Sequence, residues 1–316
     1  MRTQDTCRGC MLGLAIGDAL GATTEFINNR EDINAVTGGG VKDLPQPAIY
    51  TDDTQMTICV AEALLDSPDP VEKFMLALSK QFIDWYQVQE TEQEQRRAPG
   101  STCLTACAHL KSGIRWEESG VPGSTGCGSA MRSAPIGLRF KRLERVVDFA
   151  IHSSIITHPN ELALSASVGN ALVTFLAIND VPTGQWANEL IKVASINKQF
   201  MELMAMAAEA AAIGVEPDFA LSDECLGLGW TGHEAIASAL YCCMTNPSSY
   251  KDAVLMAANT IGDSDSIACI VGGWMGAKLG LQGIPTEWVD KIENKDKLID
   301  LADRLYSAGE TISRPV

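Results

Sequence analysis

Apolar residues recur at spacings of three and four along almost the whole chain, the period of a helix with one buried face. The pattern is plainest at Phe74, Leu78, Phe82 and Trp85. It predicts helices over 9–26 (straight or bent), 55–65, 71–88, 102–111, 143–156, 161–178, 186–197, 200–213, 233–244, 250–259, 266–281 and 288–308. The run Asp66-Ser67-Pro68-Asp69-Pro70 stops the second of these. Residues 89–97 are polar and read as a loop or a fraying helix end. No stretch alternates with a period of two between turn signals, so no sheet of any size is expected. No linker divides the chain and no short-period repeat is present. The expectation is one all-α domain covering residues 1–316.

The most apolar stretch, 162–178, still contains Ser165, Ser167, Asn170 and Thr174. It falls short of the roughly 20 apolar residues a membrane span needs and reads as the central buried helix. Two other helices carry glycine at every fourth residue: Gly9, Gly13, Gly17 and Gly21, then Gly272, Gly276 and Gly280. Residues four apart share a helix face. Glycine costs about 1 kcal/mol relative to alanine in a helix interior, so its repetition on one face implies that another backbone comes very close. Asp18 and Lys278 and the short lengths argue against helix dimerisation in a membrane. The two helices are expected to pack tightly, with their ends converging on a site.

Composition changes this picture little. Hydrophobic residues make up 46% and charged residues 20%, as in an ordinary globular protein large enough to need no staples. The net charge of −16 disfavours nucleic acid as a partner, because broad phosphate contact needs basic surface. Self-repulsion for solubility accounts for most of that excess, and carboxylates gathered for a divalent cation account for some. Ten cysteines are scattered, several of them inside apolar helices where a thiol acts as a small hydrophobe. With no charged start followed by an apolar run at Met1, a reduced, cytoplasmic protein is expected. It is expected to be a monomer off the membrane.

Two acidic clusters hold the candidate chemistry. Tyr50-Thr51-Asp52-Asp53-Thr54-Gln55 precedes an amphipathic helix, and capping by Thr51 or Asp52 accounts for it when taken alone. Gly262-Asp263-Ser264-Asp265-Ser266-Ile267 opens another helix in the same way. An EF-hand loop beginning there would need Gly and Glu where Ala268 and Trp274 stand. Neither cluster has His or Cys at a ligand spacing, so zinc fits poorly and Mg²⁺, Mn²⁺ or Ca²⁺ fits better. Four carboxylates brought together would need about two divalent ions to balance them, and such pairs orient substrate and activate water. Spacing alone does not bring the clusters together. The glycine-dense segment Gly123-Ser124-Thr125-Gly126-Cys127-Gly128-Ser129 could let backbone amides approach an anion or could be a plain loop, since it matches no nucleotide-binding fingerprint. Glu25 and His158, each alone, read as a solvated carboxylate at a helix end and a turn residue. His109, His152 and His233 make no nucleophile system.

In order along the chain, several motifs resemble the ADP-ribosylglycohydrolase family, which includes dinitrogen-reductase-activating glycohydrolase and the ADP-ribosylarginine and ADP-ribosylserine hydrolases. They are Gly13-Leu14-Ala15-Ile16-Gly17-Asp18-Ala19-Leu20-Gly21 with Glu25-Phe26, Thr51-Asp52-Asp53-Thr54-Gln55-Met56, Ala98-Pro99-Gly100-Ser101-Thr102, Gly126-Cys127-Gly128-Ser129-Ala130-Met131-Arg132, Thr157-His158, and Gly262-Asp263-Ser264-Asp265-Ser266-Ile267-Ala268. The resemblance implies a compact all-α fold with a cleft for two Mg²⁺ or Mn²⁺ ions. Thr51, Asp52 and Asp53 would bind one ion, Asp263 and Ser266 the other, with Asp265 shared. Glu25, Asp53 and Asp263 would be the catalytic acids, with Glu25 beside the metals and the ribose. The loop from Gly123 through Ser124 and Gly126 to Gly128 would wrap the diphosphate, with Ser124 a phosphate donor and His158 on the adenosine side. The family usually has Thr at Ser266, Gly at Ile261, Asn at Cys127 and, in some members, an aromatic ring at Thr125. These departures touch the adenine contacts more than the metal chemistry. The implied activity is hydrolysis of the bond between ADP-ribose and a modified target, ADP-ribosyl-arginine on protein first. Alternatives are an ADP-ribosyl-serine, poly(ADP-ribose), O-acetyl-ADP-ribose or nucleobase substrate, a non-catalytic ADP-ribose-binding module, or a helical scaffold without a ligand.

Overall fold

The first helix begins five residues before the apolar pattern does. Thr3 and Thr6 form a reciprocal capping box: Thr6 N donates to Thr3 Oγ1 at 3.1 Å and Thr3 N to Thr6 Oγ1 at 2.9 Å. The helix Gln4–Gly21 then runs buried on almost all sides. It is seen in a computed structural model that describes residues 2–67, 69–194 and 197–308.

Its partner is Ser264–Leu279, and the glycine stripes face one another. A Cβ on Gly9, Gly13 or Gly17 would run into the carbonyl oxygen of Gly276, Gly272 or Ala268 respectively, and one on Gly21 would meet Asp265 backbone. The inference of two backbones in contact therefore holds. Gly280 is the exception, since it lies beyond the helix as its C-cap at φ 75°, where a left-handed conformation favours glycine. Tyr250 clamps the pair by donating its hydroxyl to Gly13 O at 2.8 Å.

Trp274 Nε1 donates to Asn170 Oδ1 at 2.8 Å, joining this pair to the helix Glu161–Ile178. Contrary to the expectation from its length and polar residues, that helix is long and apolar enough to cross a membrane, but 78% of it is buried within the fold, as the central position requires. The helices Asp52–Asp66, Val71–Thr91, Leu143–Ile155, Lys198–Ile213 and Gly232–Thr245 pack around this centre. Among the described residues there is no strand, only the isolated bridges Ala48–Ile292 and Gly126–Thr231. All ten cysteines are unpaired.

Several boundaries differ from the periodic pattern. The first helix stops at Gly21, and Phe26 sits in a turn at φ 65°. The polar stretch after residue 88 continues the helix to Thr91 and then makes a short 3₁₀ turn, Gln93–Gln95. The last stretch is two helices, Thr286–Lys291 and Lys295–Ser307, because Glu293 N leaves the helical ladder to donate to Ala48 O at 3.1 Å. Arg30–Thr37 forms a helix with a single buried residue, Ile33, and so has no apolar period to detect. Ala134–Arg139 is too short to declare one. The helix expected over 186–197 is seen as Trp186–Val193; Ser195 and Ile196, near the end of that expected span, lie outside the described residues, as does Pro68.

Candidate active site

The close approach of the two glycine-striped helices places Asp18 beneath both acidic clusters. Asp18 is the lone charge between residues 9 and 21 and is fully buried. Its carboxylate accepts from Thr51 N at 2.8 Å, Thr54 N at 3.0 Å and Thr54 Oγ1 at 2.6 Å. It thus caps the helix Asp52–Asp66 from outside, while Thr51 contributes only a long bond from Asp53 N at 3.4 Å. With those donors satisfied, Asp52 and Asp53 need not cap, and both line a cavity instead. Burial first, then the charge of Asp265, pushes Asp18 up to about 7, against its hydrogen bonds.

The second cluster is built by loops. Phe26 N donates to Gly262 O at 3.1 Å, Gly262 N to Ile27 O at 2.9 Å, and Asp263 N to Leu228 O at 2.9 Å. Gly262 sits at φ 93°, and a Cβ there would meet Leu228 Cβ at 2.8 Å, so this crossing needs glycine on both counts. Asp263 stands at the N-cap of Ser264–Leu279 but makes no capping bond, so capping does not explain it. Asp265 Oδ1 accepts from Ser266 N at 2.9 Å, and Oδ2 accepts from Thr51 Oγ1 at 3.2 Å, which joins the two clusters directly.

Glu25, Asp52, Asp53, Asp263, Asp265 and Ser266 line a cavity of about 370 Å³. Gly126, Gly128 and His158 line the same cavity. Thr51 stands behind the wall, bonded to Asp265. Ser124 is also off the wall, with its Oγ 2.9 Å from Thr102 Oγ1, and Gly123 has open space around it. Cys127, in the middle of this loop, is buried and also lines the cavity.

Among the described residues, no lysine or arginine lines this cavity. Burial, and after it the charge of Asp265, holds Asp52, Asp53 and Asp263 well above the usual carboxylate range and pushes Glu25 up to about 10. Asp265 is raised by burial and held down by hydrogen bonds from Asp263, Ser266 N, Glu25 and Thr51. Among the described residues Asp53 Oδ2 is buried with no partner. In donor chemistry this set fits a hard divalent cation: carboxylates and hydroxyls, uncompensated negative charge and an orphaned oxygen. Among the described residues, no three acidic, His or Cys side chains are arranged to hold an ion as they stand.

Some contributors went unassigned from the motifs. Asp18 carried a readable signal, a charge alone in an apolar helix. Phe26 and Trp230 stack at the mouth with ring centroids 5.5 Å apart, and Trp230 had no signal beyond an aromatic in a glycine-rich turn. We expect Asp18→Asn to weaken divalent-cation binding about 10- to 100-fold, as loss of a group that orients ligands does. Titration calorimetry with Mn²⁺ checks this, and an unchanged affinity would remove Asp18 from the site.

An all-helical fold with acids at two helix starts and a glycine loop across one cavity defines a class of protein. The ADP-ribosylglycohydrolase family matches residues 1–314, and the chain belongs to that family. It is 30% identical to the ADP-ribosylarginine hydrolase Tri1 of Pseudomonas putida, over 98% of this chain and 80% of the relative. It is 25% identical to the ADP-ribosylhydrolase ARH3 of Mus musculus, over 95% of this chain and 90% of the relative. A solved structure described as an ADP-ribosylglycohydrolase-related protein complex shares the fold, with a TM-score of 0.76 at 24% identity over 97% of this chain and 99% of that one.

Proposed function

We propose that this hydrolase removes ADP-ribose from ADP-ribosyl-arginine on protein, with two Mg²⁺ or Mn²⁺ ions held by Thr51, Asp52, Asp53, Asp263, Asp265 and Ser266. The observation that carries the reading is the meeting of both acidic helix starts with the glycine loop around a single cavity. The named activity of the Pseudomonas putida relative favours arginine as the linkage. Its likeness to the Mus musculus relative supports a second reading, in which the site is the same and another ADP-ribose conjugate is cleaved.

Bound ions would supply Lewis acidity at the ribose hydroxyls and an activated water. The chain's own residues do the rest. In this reading Gly126 and Gly128 let backbone approach the diphosphate, and Asp53 and Asp263, which line the same cavity, orient the anomeric centre. Glu25 opens on the same cavity and carries a proton between water and the leaving group at its carboxyl oxygens. The transition state has oxocarbenium character, which the acidic wall favours electrostatically. Ten unpaired thiols support a reducing, cytoplasmic setting.

The test is a release assay on peptides ADP-ribosylated at arginine or at serine, with and without chelator. Release from the arginine conjugate is expected, lost with EDTA and restored by Mg²⁺ or Mn²⁺. Turnover that persists in EDTA would remove the ions from the proposal. Binding of ADP-ribose without release from any conjugate would leave a binding module.

A further inference from the structure

Behind the glycine loop lies a guanidinium that, among the described residues, has no carboxylate partner. Arg132 is fully buried. Its Nη1 donates to Gly128 O at 2.7 Å, and its Nη2 donates to Ser153 O at 2.8 Å and Thr157 Oγ1 at 2.7 Å. Its face covers the Phe82 ring at 4.7 Å. Every oxygen that it contacts is neutral, although a buried charge costs several kcal/mol unless paired or well hydrogen-bonded. Phe82, the carbonyls and the Thr157 hydroxyl hold the cation in place.

The Thr157 hydroxyl sets the protonation of its neighbour. It too is fully buried, so water cannot take its proton. Arginine only donates, so the bond from Arg132 uses a lone pair of Oγ1 and leaves the hydroxyl hydrogen to be placed. The other bonding partner of Oγ1 is His158 Nδ1 at 2.8 Å. That nitrogen must therefore accept, and a neutral imidazole that accepts at Nδ1 carries its hydrogen on Nε2. Burial and the nearby Arg132 charge hold His158 down to about 3, so the ring stays neutral. Nε2 faces the loop at the cavity: a Cβ on Gly126 would stand 3.4 Å from it, and one on Gly128 would crowd Cε1 at 2.9 Å.

We infer that Arg132, acting through Thr157, locks His158 as the Nε2–H tautomer, so that the cavity presents a fixed neutral N–H donor to an oxygen of the bound ADP-ribose unit. Arg132 and Thr157 are positioning residues in this scheme. The identity of the ligand rests on the proposed function, but the tautomer does not.

The experiment has two arms. In the first, ring-nitrogen spectra of the ¹⁵N-labelled full chain are recorded without ligand, with His158 assigned by its loss in His158→Gln. The expected pattern is an unprotonated Nδ1 and a protonated Nε2 across about pH 6 to 8, where a free histidine would titrate. A protonated Nδ1 in the wild-type protein overturns the inference. In the second arm, Thr157→Val keeps the shape and deletes the hydroxyl. It should mix the tautomers and weaken ADP-ribose binding about tenfold, the scale of one lost hydrogen bond. Thr157→Ser should restore both. In a His158→Ala background, Thr157→Val should add no further loss. An equal loss in that background would make Thr157 merely structural and sink the inference. Wild-type protein that binds no ADP-ribose would defeat the proposed function instead, and the spectra would still judge the tautomer.

Discussion

Asp265→Asn is expected to end ADP-ribose release while leaving the cation-free protein at least as stable as the wild type. Asp265 is the largest charged neighbour of Glu25, Asp18, Asp52, Asp53 and Asp263, each of which it pushes up after burial has done so. Removing its charge relieves repulsion throughout the cluster and leaves a side chain of nearly the same shape. Asparagine keeps one acceptor oxygen for Ser266 N at 2.9 Å, and the Thr51 hydroxyl, which donates to Asp265 at 3.2 Å, can turn to accept from the new amide N–H. The same charge is the one assigned to both ions, so its loss should cost turnover about 10²- to 10³-fold or more, the scale of losing one preorganised electrostatic partner. The readouts are an initial-rate assay and thermal melting with and without Mn²⁺. The variant should melt no lower than wild type in EDTA and should lose the cation-induced rise. Near-normal rates would show that Asp265 is not in the machinery. A marked fall in melting temperature in EDTA would show that its role is structural.

The second large effect lies in the core. Gly17→Ala adds one methyl group where the Ala268 carbonyl already stands, with Cys269 N a further 3.2 Å neighbour. Both obstacles are backbone, so no rotamer change relieves them. The two helices must separate along their whole contact, and Asp18 moves away from Thr51 and Thr54 as they do. A loss of about 3–5 kcal/mol in urea unfolding is expected, in the range of severe core overpacking, together with loss of activity. Gly184→Ala is the control, because nothing stands within 4 Å of its added Cβ, and it should stay within about 0.5 kcal/mol of wild type. Equal behaviour of the two variants would mean that the helices are less closely packed than the glycine stripe requires.

Much of the fold was legible because burial leaves a period in the sequence. Phe74, Leu78, Phe82 and Trp85 all lie buried on one face of Val71–Thr91. Legibility failed where a helix buried almost nothing, as in Arg30–Thr37, and where a distant acceptor ended one, as Ala48 does at Glu293. In the site, both acidic clusters were visible, but helix capping explained each as well as ligand binding did. Gly123 and Ser124 share the loop of Gly126 and Gly128, but only the latter two line the cavity.

By itself the chain's sequence determined an all-helical body, two glycine-striped helices in backbone contact and a set of oxygen donors suited to hard cations. It could do so because apolar period, glycine spacing and ligand type are local properties, written in residues a few positions apart. Tertiary structure alone decided that Asp18 would cap the helix from Asp52 to Asp66, that Thr51 would reach Asp265, and that Arg132 and Thr157 would stand behind His158. Apart from the local bond between Thr157 and His158, each of those contacts joins separate elements. Where a buried proton or charge comes to rest depends on which backbones pack against each other, and no spacing along one helix records that.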